Sequence, residues 1–251
     1  MDAEGHLHAV LAKAAYDYYH LESPEKAQEE LEAYGLKGYK IKPELSDDHA
    51  VTIIQPDGTA VIAYRGTHLT SGYDLMADAL IASNYHGNPK YRYAVNYLTN
   101  AIGVETRFER ALNHYLKVKE NHEVAALTGH SLGGELASFV GRESGSKVVM
   151  LNKGSSPFAD PFFAAPSLFE KQSHYTTGKD PISFAATLTP GLKTIYVPAS
   201  RSTHDFLTHS LNYFLPKRVS KQPEPKYLHS IRIADGTTMR FCELYPDHPL
   251  C

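Results

Sequence analysis

Short apolar runs and stretches of helical periodicity alternate along the chain, which is the pattern of an α/β protein. Ala, Leu and Tyr recur at helical spacing over residues 6–20. Ser23 and Pro24 form the N-cap and first position of a second predicted helix, which Gly35 ends. Further along, the predicted elements are strands at 51–54 and 60–64, a helix over about 91–120, and strands starting at 124, 147, 174 and 194.

The order of these elements predicts a mostly parallel central sheet flanked by helices. The first two strands surround Pro56-Asp57-Gly58, a turn sequence, and therefore predict a hairpin at the antiparallel edge of the sheet. The later strands alternate with helices, which favours parallel pairing. A second hairpin, 231–234 with 238–241 around Asp235-Gly236, reads as an appended edge element. We expect one domain, with a core at about 51–214, N-terminal helices within 1–35 and a tail at 216–251.

Residues 129–133 read Gly-His-Ser-Leu-Gly and lie between a predicted strand and a helical pattern. Glycines two positions either side of Ser131 permit a sharp strand-to-helix turn, because a Cβ there would collide with neighbouring backbone. The first N–H groups of the following helix would face negative charge that develops beside Ser131. The pattern predicts a nucleophile elbow, and the alternative is a glycine-rich turn whose serine only caps the helix.

Composition narrows the classes of protein to consider. The 251 residues are 42% hydrophobic and 21% charged, with a net charge of −3 and no basic tract, which argues against binding to nucleic acid. No apolar run reaches the roughly 20 residues that span a bilayer, and no signal sequence is visible, so we expect a soluble, cytoplasmic protein. Cys242 and Cys251 would bridge nothing central. The 14 histidines form no metal motif, so no metal or cofactor is expected.

A serine nucleophile needs an imidazole to take its proton and a carboxylate to orient that imidazole. Asp180 follows a predicted strand and precedes a proline that stops strand pairing, so it is placed to point inward. The alternative for Asp180 is a turn-initiating Asp-Pro, and Asp160, in a loop rich in Phe and Pro, is the rival acid.

Three downstream histidines are candidates for the base, namely His204, His209 and His229. His209 is favoured because it precedes Ser-Leu-Asn-Tyr-Phe-Leu, an apolar start of a helical turn that would fix its loop against the core. His204 is the alternative base, and His229 lies beyond a proline-rich turn.

Several segments resemble the class 3 lipases, the fungal-lipase-like branch of the α/β-hydrolases. They are A-Y-R-G-T at 63–67, Y-D-L-M-A-D at 73–78, G-H-S-L-G-G at 129–134, L-N-K-G-S-S-P at 151–157 and D-P-I at 180–182. The resemblance implies the α/β-hydrolase fold and a lipase or esterase, including phospholipase A, that works through an acyl-enzyme. It implies Ser131, Asp180 and His209 as the catalytic set and oxyanion N–H groups from Thr67 and Leu132.

The chain also departs from this family. The stretch between Asp180 and His209 is shorter than in the secreted fungal members, which leaves His204 open as the base. The chain has no Trp, and no amphipathic lid pattern follows Thr67, so activation at a lipid surface is not implied. The same triad could serve a thioesterase, an amidase or an acyltransferase, or the chain could be an inactive hydrolase-like binding protein.

The loop after the strand at 147–151 carries Phe158, Phe162 and Phe163. We predict that these rings line a pocket for a lipid or small ester substrate, or make transient contact with a membrane surface; the alternative is that they cap the core of the sheet. Replacing Phe162 and Phe163 with Ala should change the preference for acyl-chain length, measured on an ester series. An unchanged profile would remove the pocket hypothesis.

Overall fold

A computed structural model describes residues 1–67, 105–155, 166–178, 180, 182–198 and 209–219, and the backbone of 230–232 and 238–240. The helices of these ranges are α1 (Ala3–Leu21), α2 (Pro24–Ala33), α3 (Arg107–Lys119) and α4 (Leu132–Ser144). The strands are β1 (Lys40–Ile41), β2 (Ala50–Ile54), β3 (Ala60–Tyr64), β4 (Val124–His130), β5 (Val148–Leu151), β6 (Gln172–Thr176), β7 (Lys193–Tyr196), β8 (Ser230–Arg232) and β9 (Thr238–Arg240).

The first seven strands form one sheet in the order β1-β2-β3-β4-β5-β6-β7. β1, β2 and β3 pair antiparallel, and every later pairing in this sheet is parallel. The predicted mostly parallel sheet with an antiparallel edge is therefore confirmed. The two-residue strand β1, which the sequence pattern does not predict, forms that edge. The carboxyl ends of β3 to β6 thus lie side by side, where loops of different strands can meet.

Helices cover both faces of the sheet. Successive side chains along a strand point to opposite faces, so alternate residues pack against different helices. On β3, Ile62 and Tyr64 pack with α3 and α4, while Val61 and Ala63 pack with α1 and α2. β5 follows the same rule, since Met150 faces the α4 side and Val149 faces α1. Among the residues that the structure describes, no helix is both long and apolar enough to cross a membrane.

Helix α3 begins later than the helical periodicity predicts. The prediction of one continuous helix over 91–120 is wrong at residues 105–106, because Thr106 has an extended backbone (φ −73°, ψ 155°) and Arg107 is the first residue of α3. The Thr106 hydroxyl accepts the Glu109 N–H, and the Glu109 carboxylate accepts the Thr106 N–H. This reciprocal capping box ends any helix arriving from the N-terminal side. Residues 91–104 lie outside the described residues.

The C-terminal hairpin forms as predicted but does not extend the main sheet. β8 and β9 pair antiparallel with each other, in a separate two-stranded sheet. The expectation of an edge element is therefore wrong. A hairpin exchanges ladder hydrogen bonds between its own strands, so it forms without a place at the edge of the larger sheet. Cys242 and Cys251 lie outside the described residues.

A buried network of charges fastens the segment after residue 215 to the N-terminal helices. Lys13 on α1 contacts Asp17 at 2.8 Å and Glu30 of α2 at 3.3 Å, and Arg218 contacts Glu30 at 2.6 Å. Burial raises the pKa of Asp17 to about 7, against the attraction of Lys13. Two cations and two carboxylates offset one another, and removal of one would leave a buried charge without its partner.

The packing of α1 gives a test of the fold by two equal truncations. Leu11 lies on the buried face of α1 and is 0% exposed, whereas Leu116 on α3 is 50% exposed. Leu11→Ala should lower the free energy of unfolding by about 2–5 kcal/mol, because it leaves a cavity in the core. The matched control Leu116→Ala should change it by no more than about 0.5 kcal/mol. Urea unfolding measures both, and similar losses in the two variants would contradict the burial of α1.

Candidate active site

Ser131 lies in the sharp turn between β4 and α4 and has a strained backbone. Its φ of 57° and ψ of −126° are unusual for a residue with a side chain. Gly129 and Gly133 permit the turn, because a Cβ on Gly129 would overlap the Gly133 carbonyl and one on Gly133 would overlap the Tyr64 carbonyl. The Ser131 hydroxyl makes no capping hydrogen bond, so the alternative of a serine that only caps the helix is wrong. The hydroxyl is left to other partners.

The structure brings three of the predicted site residues together. His209 Nε2 lies 2.7 Å from Ser131 Oγ, and His209 Nδ1 lies 2.6 Å from Asp180 Oδ2. A carboxylate oxygen only accepts, so Nδ1 carries the proton and Nε2 is free to accept from the serine hydroxyl. The candidates Asp160, His204 and His229 lie outside the described residues, as do Phe158, Phe162, Phe163 and the segment 73–78.

Asp180 follows β6 and is buried, with both carboxylate oxygens engaged. Oδ1 accepts the Ile182 N–H at 3.0 Å, and Oδ2 accepts the Ser183 hydroxyl as well as His209. Burial raises the pKa of this carboxyl, but hydrogen bonds from His209, Ser183 and Ile182, with the electrostatic attraction between Asp180 and His209, outweigh burial and hold the pKa below 3.8. The two readings of the Asp-Pro sequence are thus compatible, since one oxygen closes the local turn and the other contacts the imidazole.

The loop that carries His209 is held by α1. A 3₁₀ turn, Leu211–Phe214, follows the histidine, and Leu211 and Phe214 are buried in a core cluster with Ala9 and Ala12. His6 Nδ1 donates to the Phe214 carbonyl at 3.1 Å. The apolar stretch after His209 therefore fixes its loop against the core, as the sequence pattern predicts.

The segment Arg65-Gly66-Thr67 leaves β3 beside the elbow, since Tyr64 pairs with Gly129 in the parallel ladder. Arg65 is buried, donates to the Asp48 carbonyl at 2.6 Å, and accepts an Arg107 hydrogen bond at its own carbonyl. These bonds fix the backbone that leads to Thr67. Leu132 opens α4, where the first N–H groups have no acceptor within the helix. Thr67 and Leu132 therefore remain the predicted oxyanion donors.

Sequence reasoning misses several residues that support this site. Lys153 and Glu135 form a fully buried ion pair between the loop after β5 and helix α4, and Arg142 lies 3.5 Å from the same carboxylate. The Lys153 N–H donates to His174 Nε2 at 3.2 Å. No local pattern marks these residues, because ionic residues are usually exposed and only tertiary packing buries them. The described residues contain no group of His, Cys, Asp or Glu that could hold a metal ion.

Three buried histidines predict how stability depends on pH. Burial lowers the pKa of His8 to about 4 and that of His130 and His174 to about 3, from 6.5. Below pH 6.5 the unfolded chain therefore binds protons that the folded chain does not, so the free energy of unfolding falls as the pH falls towards these folded values.

Replacing His174 with Gln should reduce this pH dependence. A Gln side chain does not titrate, and its amide oxygen can accept the Lys153 N–H. The slope of unfolding free energy against pH should flatten by up to about 1.4 kcal/mol per pH unit between about pH 6 and about pH 4. Urea unfolding across this range measures the slope, and an identical slope in the native protein and the variant would contradict a buried neutral His174.

Part of the chain matches a known protein family. Residues 61–159 match the family model described as Lipase (class 3), a span that includes most of β3, the Arg65-Gly66-Thr67 segment and the elbow. A search of curated proteins finds no match to the chain. The family supports a hydrolase of the lipase type. The resemblance seen in the sequence is therefore confirmed over residues 61–159, which match the class 3 lipase family model.

Proposed function

We propose that this protein is a serine carboxylic ester hydrolase that acts on lipid-like esters through an acyl-enzyme, on a single domain of the α/β-hydrolase fold. One observation carries the proposal. The chain of hydrogen bonds from Ser131 Oγ through His209 to Asp180 has distances of 2.7 and 2.6 Å. The serine at its end stands in a strained turn with no capping role. This arrangement favours an active enzyme over an inactive binding protein.

In the proposed acylation step, Ser131 Oγ attacks the ester carbonyl carbon while His209 Nε2 takes the hydroxyl proton. The ionised Asp180 stabilises the imidazolium and holds its Nδ1–H. Negative charge develops on the carbonyl oxygen, where the N–H groups of Leu132 and Thr67 would donate, each worth about 3–4 kcal/mol in the transition state. The C–O bond to the alcohol then breaks, and His209 gives its proton to the departing oxygen.

Deacylation repeats these roles with water as the nucleophile. His209 Nε2 takes a proton from the water as its oxygen attacks the acyl carbon, and the same donors hold the oxyanion. The bond between the acyl carbon and Ser131 Oγ breaks, and the serine oxygen recovers its proton from His209. A carboxylic acid leaves, and the enzyme returns to its starting state.

The surface next to the acid supports an apolar substrate. Ile182, Phe184 and Leu188 follow Asp180 and are 40%, 59% and 56% exposed. Ser155, at the end of the segment after β5, accepts the Ala186 N–H at 2.8 Å and so holds this apolar stretch beside the strand ends. Exposed apolar side chains next to a hydrolytic site favour an acyl chain over a polar substrate.

A fluorophosphonate probe tests the assignment, because it labels a serine only when its hydroxyl is activated. Labelling of the native protein should vanish in Ser131→Ala and slow by about 10⁴-fold in His209→Ala and Asp180→Asn. Ser144→Ala, at the end of α4, is the matched serine control and should label at the native rate. Turnover rates on matched carboxylic ester, thioester and amide substrates then identify the leaving group. A native protein that resists the probe, or labelling that survives in Ser131→Ala, would overturn the proposal.

A further inference from the structure

His130, the residue before the nucleophile, makes two hydrogen bonds that the triad does not use. Its Nε2 lies 2.6 Å from the backbone carbonyl oxygen of His209, and its Nδ1 lies 3.0 Å from the hydroxyl of Tyr16 on α1. A carbonyl oxygen only accepts, so Nε2 carries the proton. In the neutral ring Nδ1 is then the acceptor, and the Tyr16 hydroxyl donates to it. Tyr16 thus donates to His130, and His130 donates to the backbone carbonyl of His209.

The burial of His130 keeps its ring neutral, so these donor and acceptor roles do not change. The side chain is buried, and burial, together with the nearby His209, lowers its pKa to about 3. The ring is therefore neutral near pH 7, with one donor and one acceptor nitrogen. Its ring centroid also lies 4.9 Å from that of His209, with the planes inclined at 42°. His130 thus restrains both the carbonyl and the ring of the base.

Tyr16 lies where three parts of the site meet. Its hydroxyl packs so closely against Gly66 that a Cβ on that glycine would overlap it, and the same Cβ would come within 2.7 Å of the His130 carbonyl. Its ring packs against the core cluster that contains Leu211 and Phe214 of the base loop. One side chain of α1 therefore contacts the segment that leads to Thr67, the elbow and the support of His209.

We propose that His130 and Tyr16 are positioning residues that hold the His209 backbone so that Nε2 stays on Ser131 Oγ. The inference rests on the proposed function. Its physical basis is that His130 and Ser131 are neighbours on one strained turn, and their side chains contact the backbone and the ring of the same histidine. The distance between nucleophile and base is then set within a single rigid element. A displacement of about 1 Å at such a contact can cost about 10²-fold in rate.

A set of matched variants separates the donor from mere bulk. His130→Leu keeps a similar volume but has no donor, whereas His130→Gln retains an N–H₂ group near the position of Nε2. Tyr16→Phe keeps the ring and removes only the hydroxyl. In His130→Leu we expect kcat and the rate of fluorophosphonate labelling to fall by about 10²-fold with KM within about twofold of native. His130→Gln should recover most of this loss, and Tyr16→Phe should lose about 10-fold.

A second readout does not depend on turnover. The proton between His209 Nδ1 and Asp180 should give a downfield ¹H NMR signal in the native protein, which should be lost or displaced in His130→Leu and return in His130→Gln. Equal defects in the Leu and Gln variants, native behaviour in His130→Leu, or a KM that rises as much as kcat falls would each overturn the proposal. If His130→Leu does not fold, Tyr16→Phe gives the same comparison.

The two proposals fail in different ways. Absence of labelling in the native protein rejects the hydrolase assignment, while the NMR comparison still decides whether His130 positions His209. Normal labelling of the native protein, with no difference among the His130 and Tyr16 variants, rejects only the positioning role.

Discussion

The close approach of three backbones at the elbow is the constraint on which the site depends. β3, β4 and the start of α4 come so near to one another that Gly66, Gly129 and Gly133 have no room for a Cβ. This packing holds Ser131 in a conformation that a residue with a side chain rarely adopts. The strand and the helix that flank the turn share buried residues in one core cluster, and this packing sustains the strain. As a result of that geometry, the Ser131 hydroxyl contacts His209 and does not cap α4.

Local patterns in the sequence predict the parts of the fold that local physics decides. The glycine spacing around Ser131 and the turn at Pro56-Asp57-Gly58 each depend on a few consecutive residues, and both are correctly interpreted. The late start of α3 was also readable, because Thr106 and Glu109 have the spacing of a capping box, but helical periodicity on its N-terminal side outweighed it. Prediction from sequence fails where two local patterns, here helical periodicity and a capping box, indicate different structures for the same few residues.

Contacts between distant parts of the chain were beyond sequence reading. Tyr16 and His130 are 114 residues apart, and nothing in the helical pattern of α1 separates Tyr16 from the neighbouring tyrosines. The burial of Lys153 with Glu135 likewise depends on the assembled sheet. His209 could be favoured in advance only because its support, the apolar stretch at 211–214, is adjacent in sequence. The proposed acid, base and nucleophile were thus within reach of sequence analysis, and the side chains that hold them were not.

The support of His209 by α1 has a consequence for how the proposed activity would arise as the chain folds. His209 and its 3₁₀ turn rest on the first helix through His6, Ala9 and Ala12, and Arg218 is tied to the same layer through Glu30. The elbow is built from β3, β4 and α4, whereas His209 reaches Ser131 only after segments separated by most of the described sequence have docked. Under the proposed mechanism, activation of Ser131 therefore requires these long-range contacts. A chain in which these contacts had not closed would hold Ser131 without His209, and would lack the proposed esterase activity.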